Sequence, residues 1–260
     1  MSANLKRLFR VVRDSGISGI AGRLRDEYGM PIHVSNKMRW RTGIPYERDF
    51  WHSYFEKTII PQGDAYPRLR TDTALQDRVV SLLPAEQETV RILDVGAGPL
   101  TYLGKTCRGR TICITPVDPL AEQYDRILAE YSITPPVRTT KGEAERLTSQ
   151  FGENSFDLVY ARNCIDHSYD PEMAIGEMIG VCRPNCYVLL EHHPNEGKAG
   201  EYSGLHQWDF SVDESGNSIV GSRTRAVNMT EKLNHRCSIT CEILHGQEEW
   251  VIARIRKHES

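Results

Sequence analysis

The sequence predicts an α/β fold with a mostly parallel, seven-stranded sheet that ends in an antiparallel C-terminal hairpin and carries an N-terminal cap. Three observations support this fold class. Buried-strand patterns alternate with helical patterns from about Thr73 onward, which is typical of a parallel sheet. A glycine-rich turn follows the first of these strands. The last two strands are joined by a short turn at Gly246, which makes them antiparallel.

The predicted elements follow one another in the order that such a sheet requires. The second helix begins with Pro171, whose missing backbone N–H costs nothing in the first turn. The third strand has the weakest pattern. Strands are predicted at 90–95, 111–117, 137–139, 156–160, 186–191, 238–245 and 251–256, and helices at 120–131 and 171–181.

The chain divides into two regions with different sequence patterns. Residues 1–75 form an N-terminal extension or cap, much of it an irregular stretch rich in aromatic side chains and arginine. Residues 76–260 form the α/β domain, with an insert at about 192–229 in which 208–212 and 218–221 predict a small hairpin. Because loops after the carboxyl ends of parallel strands carry the binding chemistry, the insert is expected to cover the active site.

Composition restricts the partners of the chain. The formal net charge of -3 lacks the basic excess of a protein that grips nucleic acid through its phosphates. No run approaches the roughly 18 apolar residues of a transmembrane helix, and no signal-peptide pattern is present. Seven cysteines, an odd number, indicate reduced thiols in a cytoplasmic protein. A short basic amphipathic helix at 3–14 predicts a docking or homodimer contact, with weak membrane-surface binding as the alternative.

A buried strand ends in the loop Asp94-Val95-Gly96-Ala97-Gly98, which is the strongest local signal of the chain. Glycines at this spacing let the backbone turn sharply and let a ligand approach closely. A second acid, Asp118, closes the next strand, where Rossmann-like folds bind ribose hydroxyls. A dinucleotide site would need a third glycine at the position of Thr101. The acid before the glycines favours S-adenosylmethionine, which has an amino-acid end and a sulfonium but no pyrophosphate.

This loop resembles motif I of class I S-adenosylmethionine-dependent methyltransferases, and the resemblance extends over about 90–256. It implies S-adenosylmethionine as the cofactor and Asp118 as the ribose ligand. The stretch 142–147 resembles the third motif of the family, with Glu143 in the adenine-contacting place; the alternative for Glu143 is a solvated surface acid. The residues that the resemblance assigns to the cofactor are Asp94, Gly96, Ala97, Gly98, Asp118, Pro119, Glu143, Ala144, Arg162 and Asn163.

The acceptor side of the site is predicted from histidines in the loops that follow the fourth and fifth strands. The Asn/Asp-Pro-Pro-aromatic motif of base-modifying amino methylases is absent, so a hydroxyl acceptor is favoured, and its proton needs a base. His167 is the first candidate, beside Asp166, and His192 is the second. Helix capping or packing is the alternative for His167, and lid packing is the alternative for the insert residues. An acceptor pocket is predicted from His193, Tyr202, His206 and Trp208.

A second resemblance concerns metals. Asn163, Asp166 and His167 resemble the Glu-x-x-Glu-His stretch of quinone-biosynthesis O-methyltransferases, which hold a divalent ion, but both glutamates are replaced. A site without metal is therefore favoured, and an ion at Asp166 and His167 is the alternative. It would accompany a quinone or polyketide phenol as the acceptor.

The stretch 162–208 resembles methyltransferases of bacterial polysaccharide and sugar-modification gene clusters. Sugars bind to aromatic faces combined with polar and acidic groups, and the insert offers such a mixture. The predicted function is therefore O-methylation of a sugar hydroxyl on a saccharide or small-molecule acceptor. A non-catalytic protein that binds S-adenosylmethionine is the alternative of another class.

Overall fold

The computed structural model describes residues 36–259, and its centre is a seven-stranded sheet. The strand order is β3-β2-β1-β4-β5-β10-β9, in which the first five strands are parallel and β10 pairs antiparallel with both β5 and β9. A separate three-stranded antiparallel sheet has the order β6-β7-β8. The strands are β1 Thr89–Val95, β2 Thr111–Asp118, β3 Thr140–Lys141, β4 Phe156–Arg162, β5 Cys182–His192, β6 Asp209–Val212, β7 Ser218–Gly221, β8 Ala226–Asn228, β9 Cys237–Leu244 and β10 Trp250–Lys257.

Helices cover both faces of the large sheet, so its central strands are buried on both sides. Ile92 points into one core cluster and Leu93 into the other, and both are fully buried. Such near-continuous apolar runs are typical of parallel strands between two helical layers. The helices are α1 Asn36–Tyr54, α2 Asp77–Val80, α3 Ala121–Glu130, α4 Leu147–Phe151, α5 Pro171–Val181, α6 Glu196–Ala199 and α7 Met229–Leu233, with single helical turns at Phe55–Ile59, Ile60–Gln62, Gly63–Ala65, Pro67–Leu69, Ala144–Arg146 and Ile165–His167.

The predicted fold class is confirmed, with seven strands in the large sheet and an antiparallel pair at its C-terminal edge. The hairpin within the insert is present as β6 and β7. The third strand lies three residues later than predicted, because pairing with Val117 and Asp118 begins only at Thr140. Pro135 and Pro136 precede the predicted position, and proline cannot donate to a strand ladder.

Part of the stretch expected to be irregular is instead helical, because residues 36–54 form α1, the longest helix among the described residues. Pro45 inside it removes a backbone donor, and Gly43 lowers the local helix propensity, which is why the pattern does not indicate a helix. Tertiary contact compensates, since a Cβ atom on Gly43 would lie 2.4 Å from Leu205 of the insert. The predicted helix at 3–14 lies outside the described residues. The division at 75/76 and the limits of the insert stay predictions.

Within residues 36–259, none of the helices combines the length and the apolar character that crossing a bilayer requires.

Candidate active site

A cavity of about 990 Å³ opens at the carboxyl ends of β1, β2 and β4. The strands bring their ends together because Asp94 is in register with Pro116 on one side and with Tyr160 on the other. Helix α1 forms one wall of the cavity and the insert forms another. This is the edge of the sheet at which open α/β folds bind ligands.

The loop 96–98 after β1, the glycine cradle, has no space for a side chain at either of its glycines. Gly96 and Gly98 have φ values of 66° and 65°, which L-residues with side chains rarely adopt. A Cβ atom at Gly96 would lie 2.5 Å from Cys164 Sγ, and one at Gly98 would lie 2.7 Å from the Trp51 ring. The backbone N–H groups of Gly96 and Ala97 both donate to Val117, which fastens the loop to β2.

Two buried carboxylates flank this loop. Asp94 accepts a hydrogen bond of 2.5 Å from Thr101, and burial raises the pKa of Asp94 to about 7. Asp118 accepts from the backbone N–H groups of Gly98 and Leu120, and burial raises its pKa to about 6. Both groups therefore lie where a cation or hydroxyl donors would stabilise the ionised form.

Two acids of the stretch 142–147 have different surroundings. Glu143 borders the cavity, where it forms a 3.0 Å ion pair with Lys37 and accepts from the Tyr169 hydroxyl at 2.9 Å. Burial opposes ionisation of Glu143, but Lys37 and Tyr169 outweigh it and hold its pKa below the usual value. Glu145 is buried and accepts from the backbone N–H of Tyr169, and burial raises its pKa to about 7. Glu143 is thus an ion-paired group of the cavity wall, while Glu145 supports the loop.

Two predicted cofactor residues follow β4. The guanidinium of Arg162 lies 4.3 Å from the centre of the Tyr102 ring and 3.6 Å from that of Trp250, and it pairs with the buried Glu191. Asn163 has a φ of 48°, and its side-chain amide donates to Glu196 at 3.4 Å. Both residues line the cavity, as do the other eight predicted cofactor residues.

Asp166 connects two histidines on the acceptor side. Its Oδ2 lies 2.9 Å from Nδ1 of His206 and 3.3 Å from Nε2 of His167, and those two nitrogens are 3.2 Å apart. Although burial opposes ionisation, His167 and the hydrogen bond from His206 hold the pKa of Asp166 well below its usual range. The hydrogen bond to Asp166 raises the pKa of His206. Both histidines line the cavity.

Four of the predicted catalytic and substrate residues do not line the cavity: Asp166, His192, Tyr202 and Trp208. His192 is 1% exposed and stacks on Phe210, and burial lowers its pKa to about 4, so it is poorly placed to meet an acceptor. The Tyr202 hydroxyl donates to Asp209, and the Trp208 indole donates to the Ser168 carbonyl. Of the predicted substrate residues, His193 and His206 reach the cavity.

The structure adds cavity residues that sequence reasoning missed. Glu47 of α1 lies 3.6 Å from Nδ1 of His167 and accepts at 2.9 Å from the indole of Trp51. Glu196 borders the cavity, and its Oε2 has no hydrogen-bond partner among the described residues. Burial and the nearby Asp166 raise the pKa of Glu196. The only available signal was the position of Glu196 just after β5, because Glu47 lies in a region of no recognised pattern.

These features fit S-adenosylmethionine. The glycine cradle borders the cavity, and Asp94 and Asp118 supply buried carboxyl groups there for a cationic ligand with ribose hydroxyls. A family profile described as a methyltransferase domain matches residues 93–190, which include the cradle and the loop after β4. Residues 93–190 therefore form a methyltransferase domain, and its sheet and cofactor loop are of the class I S-adenosylmethionine-dependent type.

The chain is similar to several solved structures of low sequence identity. A chain in the complex of the Haloferax volcanii Trm112 methyltransferase activator with a methyltransferase has a TM-score of 0.50 and 12% identity, covering 82% of this chain and 96% of that one. A 1,6-didemethyltoxoflavin-N1-methyltransferase of Burkholderia thailandensis has 14% identity and a TM-score of 0.46, covering 88% and 93%. An S-adenosylmethionine-dependent methyltransferase of Methanosarcina mazei has 18% identity and a TM-score of 0.43, covering 72% and 100%. When bound to the methyltransferase, the cofactor supplies an electrophilic methyl group on a sulfonium.

Proposed function

We propose that this methyltransferase transfers the methyl group to a hydroxyl group of a sugar, in a polysaccharide or glycoside. The observation that carries the proposal is the contact of one buried carboxylate, Asp166, with two histidines of the cavity wall. A carboxylate that orients an imidazole is a recurring device for removing a proton from a hydroxyl.

His206 is the better placed of the two bases. Its Nδ1 contacts Asp166, which favours the tautomer with the proton on Nδ1 and leaves Nε2 to accept a proton. The raised pKa of His206 makes it a stronger base near neutral pH. His167 has both ring nitrogens engaged, one with Asp166 and His206 and the other with Glu47. We therefore assign His206 as the base and His167 as a positioning residue, whereas the sequence favours His167 as the base and places His206 in the acceptor pocket.

The hydroxyl proton has a defined acceptor in this site. Bound S-adenosylmethionine would supply the methyl group, its carbon–sulfur bond breaking as the acceptor oxygen bonds to the methyl carbon, and Nε2 of His206 would take the hydroxyl proton. Asp166 stabilises the imidazolium that results, because its carboxylate stays ionised. Asp94 and Asp118 hold the cofactor at the other end of the cavity and take no part in proton transfer.

The cavity wall supports a sugar acceptor through its mixture of groups. Aromatic rings of Trp40, Phe50 and Trp250 face the cavity together with the carboxylates of Glu196 and Glu248. Apolar sugar faces stack on aromatic rings, and carboxylates accept from hydroxyl groups. The same rings favour a second candidate, a phenol of the quinone or polyketide type, which would stack on them and would need a weaker base because its hydroxyl is more acidic.

The test is a survey of acceptors with S-adenosylmethionine labelled in its methyl group. Saccharides, phenols and amines are offered in parallel, and each labelled product is located by mass spectrometry. We expect label in an ether on one saccharide hydroxyl, and no label when the matching deoxysugar is offered. Label in an amine product, or in phenols alone, would contradict the proposal. Asp94→Ala serves as the control without cofactor binding.

A further inference from the structure

The ligand atoms around Asp166 have the spacing of groups that bind one metal ion. The three separations are 2.9 Å between Asp166 and His206, 3.3 Å between Asp166 and His167, and 3.2 Å between the two histidines. Atoms bonded to one ion at about 2.0–2.1 Å lie roughly 2.9–3.4 Å apart in octahedral or tetrahedral geometry. All three separations fall in that range.

Hydrogen bonding alone leaves one contact of this triangle unfavourable. If both nitrogens carry hydrogen, two N–H groups face each other between His167 and His206. If one nitrogen is unprotonated, its lone pair faces the carboxylate oxygen of Asp166. A cation shared by the three atoms satisfies all three lone pairs at once.

Two further observations point to a ligand at this place. Asp166 is 1% exposed, yet its Oδ1 has no hydrogen-bond partner among the described residues, and neither ring nitrogen of His192, 3.8 Å away, has one. Buried polar groups without partners are rare and need an explanation. Glu47 approaches the outer nitrogen of His167, as the second carboxylate beside a metal-binding histidine commonly does.

We infer that Asp166, His167 and His206 bind one divalent transition-metal ion on the acceptor side of the cavity. Two imidazoles with one carboxylate suit Zn²⁺, Mn²⁺, Fe²⁺ or Co²⁺ better than Mg²⁺ or Ca²⁺, which prefer oxygen. Asn163 is not a ligand, because its side chain contacts Glu196 and the backbone of His193 instead. His167 and His206 line the cavity, so the open coordination positions face the acceptor.

The catalytic consequence rests on the proposed hydroxyl methylation, whereas the metal site itself does not. A hydroxyl bound to a divalent ion loses its proton more readily. The oxygen then bonds to the methyl carbon as the carbon–sulfur bond breaks. With the ion bound, the imidazoles serve as its ligands, so Glu196 replaces His206 as the base and takes the proton on Oε2, which has no hydrogen-bond partner among the described residues.

The experiment measures metal binding by the full chain, without acceptor, after removal of ions by a chelator. Zn²⁺ and Co²⁺ are titrated calorimetrically, and Co²⁺ is also followed by its visible absorption. We expect one tight ion per chain, with Mg²⁺ unable to displace it. His206→Gln and Asp166→Asn should each weaken Zn²⁺ binding at least about 100-fold, since even partners of metal ligands contribute 10–100-fold. Unchanged affinity for S-adenosylhomocysteine shows that each variant is folded.

His193→Gln is the matched control, because His193 lies on the same cavity wall 3.6 Å from Glu248 but outside the triangle. It should keep the affinity of the unmodified chain for Zn²⁺. Equal Zn²⁺ affinity in the His206→Gln and unmodified chains would overturn the inference. Full turnover in the presence of chelator would remove the catalytic role and leave hydroxyl methylation standing. Tight binding without any hydroxyl acceptor would support the metal site and count against the proposed function.

Discussion

The two ends of the cavity are built in different ways. At the cofactor end, Thr101 contacts Asp94 seven positions away, and Gly98 contacts Asp118 twenty positions away. At the acceptor end, His206 contacts Asp166 forty positions away, and helix α1 contributes Glu47 from a distant part of the chain. The two carboxylates at the cofactor end are held by a local motif, whereas the groups at the acceptor end come from three separate segments.

Because of this difference, we expect mutations to affect cofactor binding and turnover separately. Contacts at the cofactor end connect adjacent strand ends, so a change there should affect binding of the cofactor. Contacts at the acceptor end connect α1, the loop after β4 and the insert, so a change there should affect turnover and leave cofactor binding intact. The predictions below test that separation.

The largest effect is expected from Asp166→Asn. The amide cannot stabilise a positive charge on His206 and does not fix its tautomer, so turnover should fall on the order of 10³–10⁴-fold. Affinity for S-adenosylhomocysteine, measured by calorimetry, should stay unchanged. Asp213→Asn, in an exposed turn of the insert, is the matched control and should retain full activity. Parallel loss of cofactor binding in Asp166→Asn would show that the two ends are coupled.

The complementary change is Asp94→Ala. Asp94 is 2% exposed, and its carboxylate accepts a hydrogen bond from Thr101. Removal of this carboxylate should weaken binding of S-adenosylhomocysteine at least about 100-fold, near 3 kcal/mol. Zn²⁺ binding at the acceptor end should be unaffected. Asp72→Ala, at an exposed ion pair, is the control for the loss of an acid as such. Unchanged calorimetric affinity for the cofactor would sink the assignment of the cradle.

The same contrast explains what the sequence could reveal. The strand–glycine loop–strand pattern predicts β1, β2 and the acids Asp94 and Asp118, because the residues that act together there are separated by few positions. Helix α1 escapes prediction, because Pro45 and Gly43 weaken its local pattern and contacts with the insert stabilise it.

Among the histidines, residue type and loop position select candidates but not their roles. His192 follows β5 as directly as a catalytic residue would, yet its side chain stacks on Phe210 behind the wall. The pairing of His206 with Asp166 depends on how the insert folds back over β4, and no local pattern encodes that distance. Glu47 is not predicted for the same reason, because its distance to His167 depends on how α1 folds against the site.

Acidic pH should weaken binding of the cofactor in the unmodified chain. Burial raises the pKa of Asp118 to about 6 and that of Asp94 to about 7, and a sulfonium or a ribose hydroxyl favours the ionised form of each. Affinity should therefore fall as pH drops through these values, at least about tenfold between pH 7.5 and 5.5. Calorimetry in buffers of different ionisation enthalpy should detect proton release on binding. Asp118→Asn should flatten the profile, and a flat profile in the unmodified chain would show that neither acid titrates on binding.

The smallest effect is expected from Glu47→Gln, which tests whether α1 belongs to the acceptor end. Glutamine keeps the bond from Trp51 but removes the charge that faces His167, so turnover should fall by about three- to tenfold with the KM for cofactor unchanged. A merely structural role would lower stability without moving the pH profile of kcat, whereas loss of this charge should shift that profile toward lower pH. Asp49→Asn, an exposed acid on the same helix, should do neither. Because Glu47 reaches the histidine only through the fold of α1, an unchanged kcat and profile would place that helix outside the catalytic end.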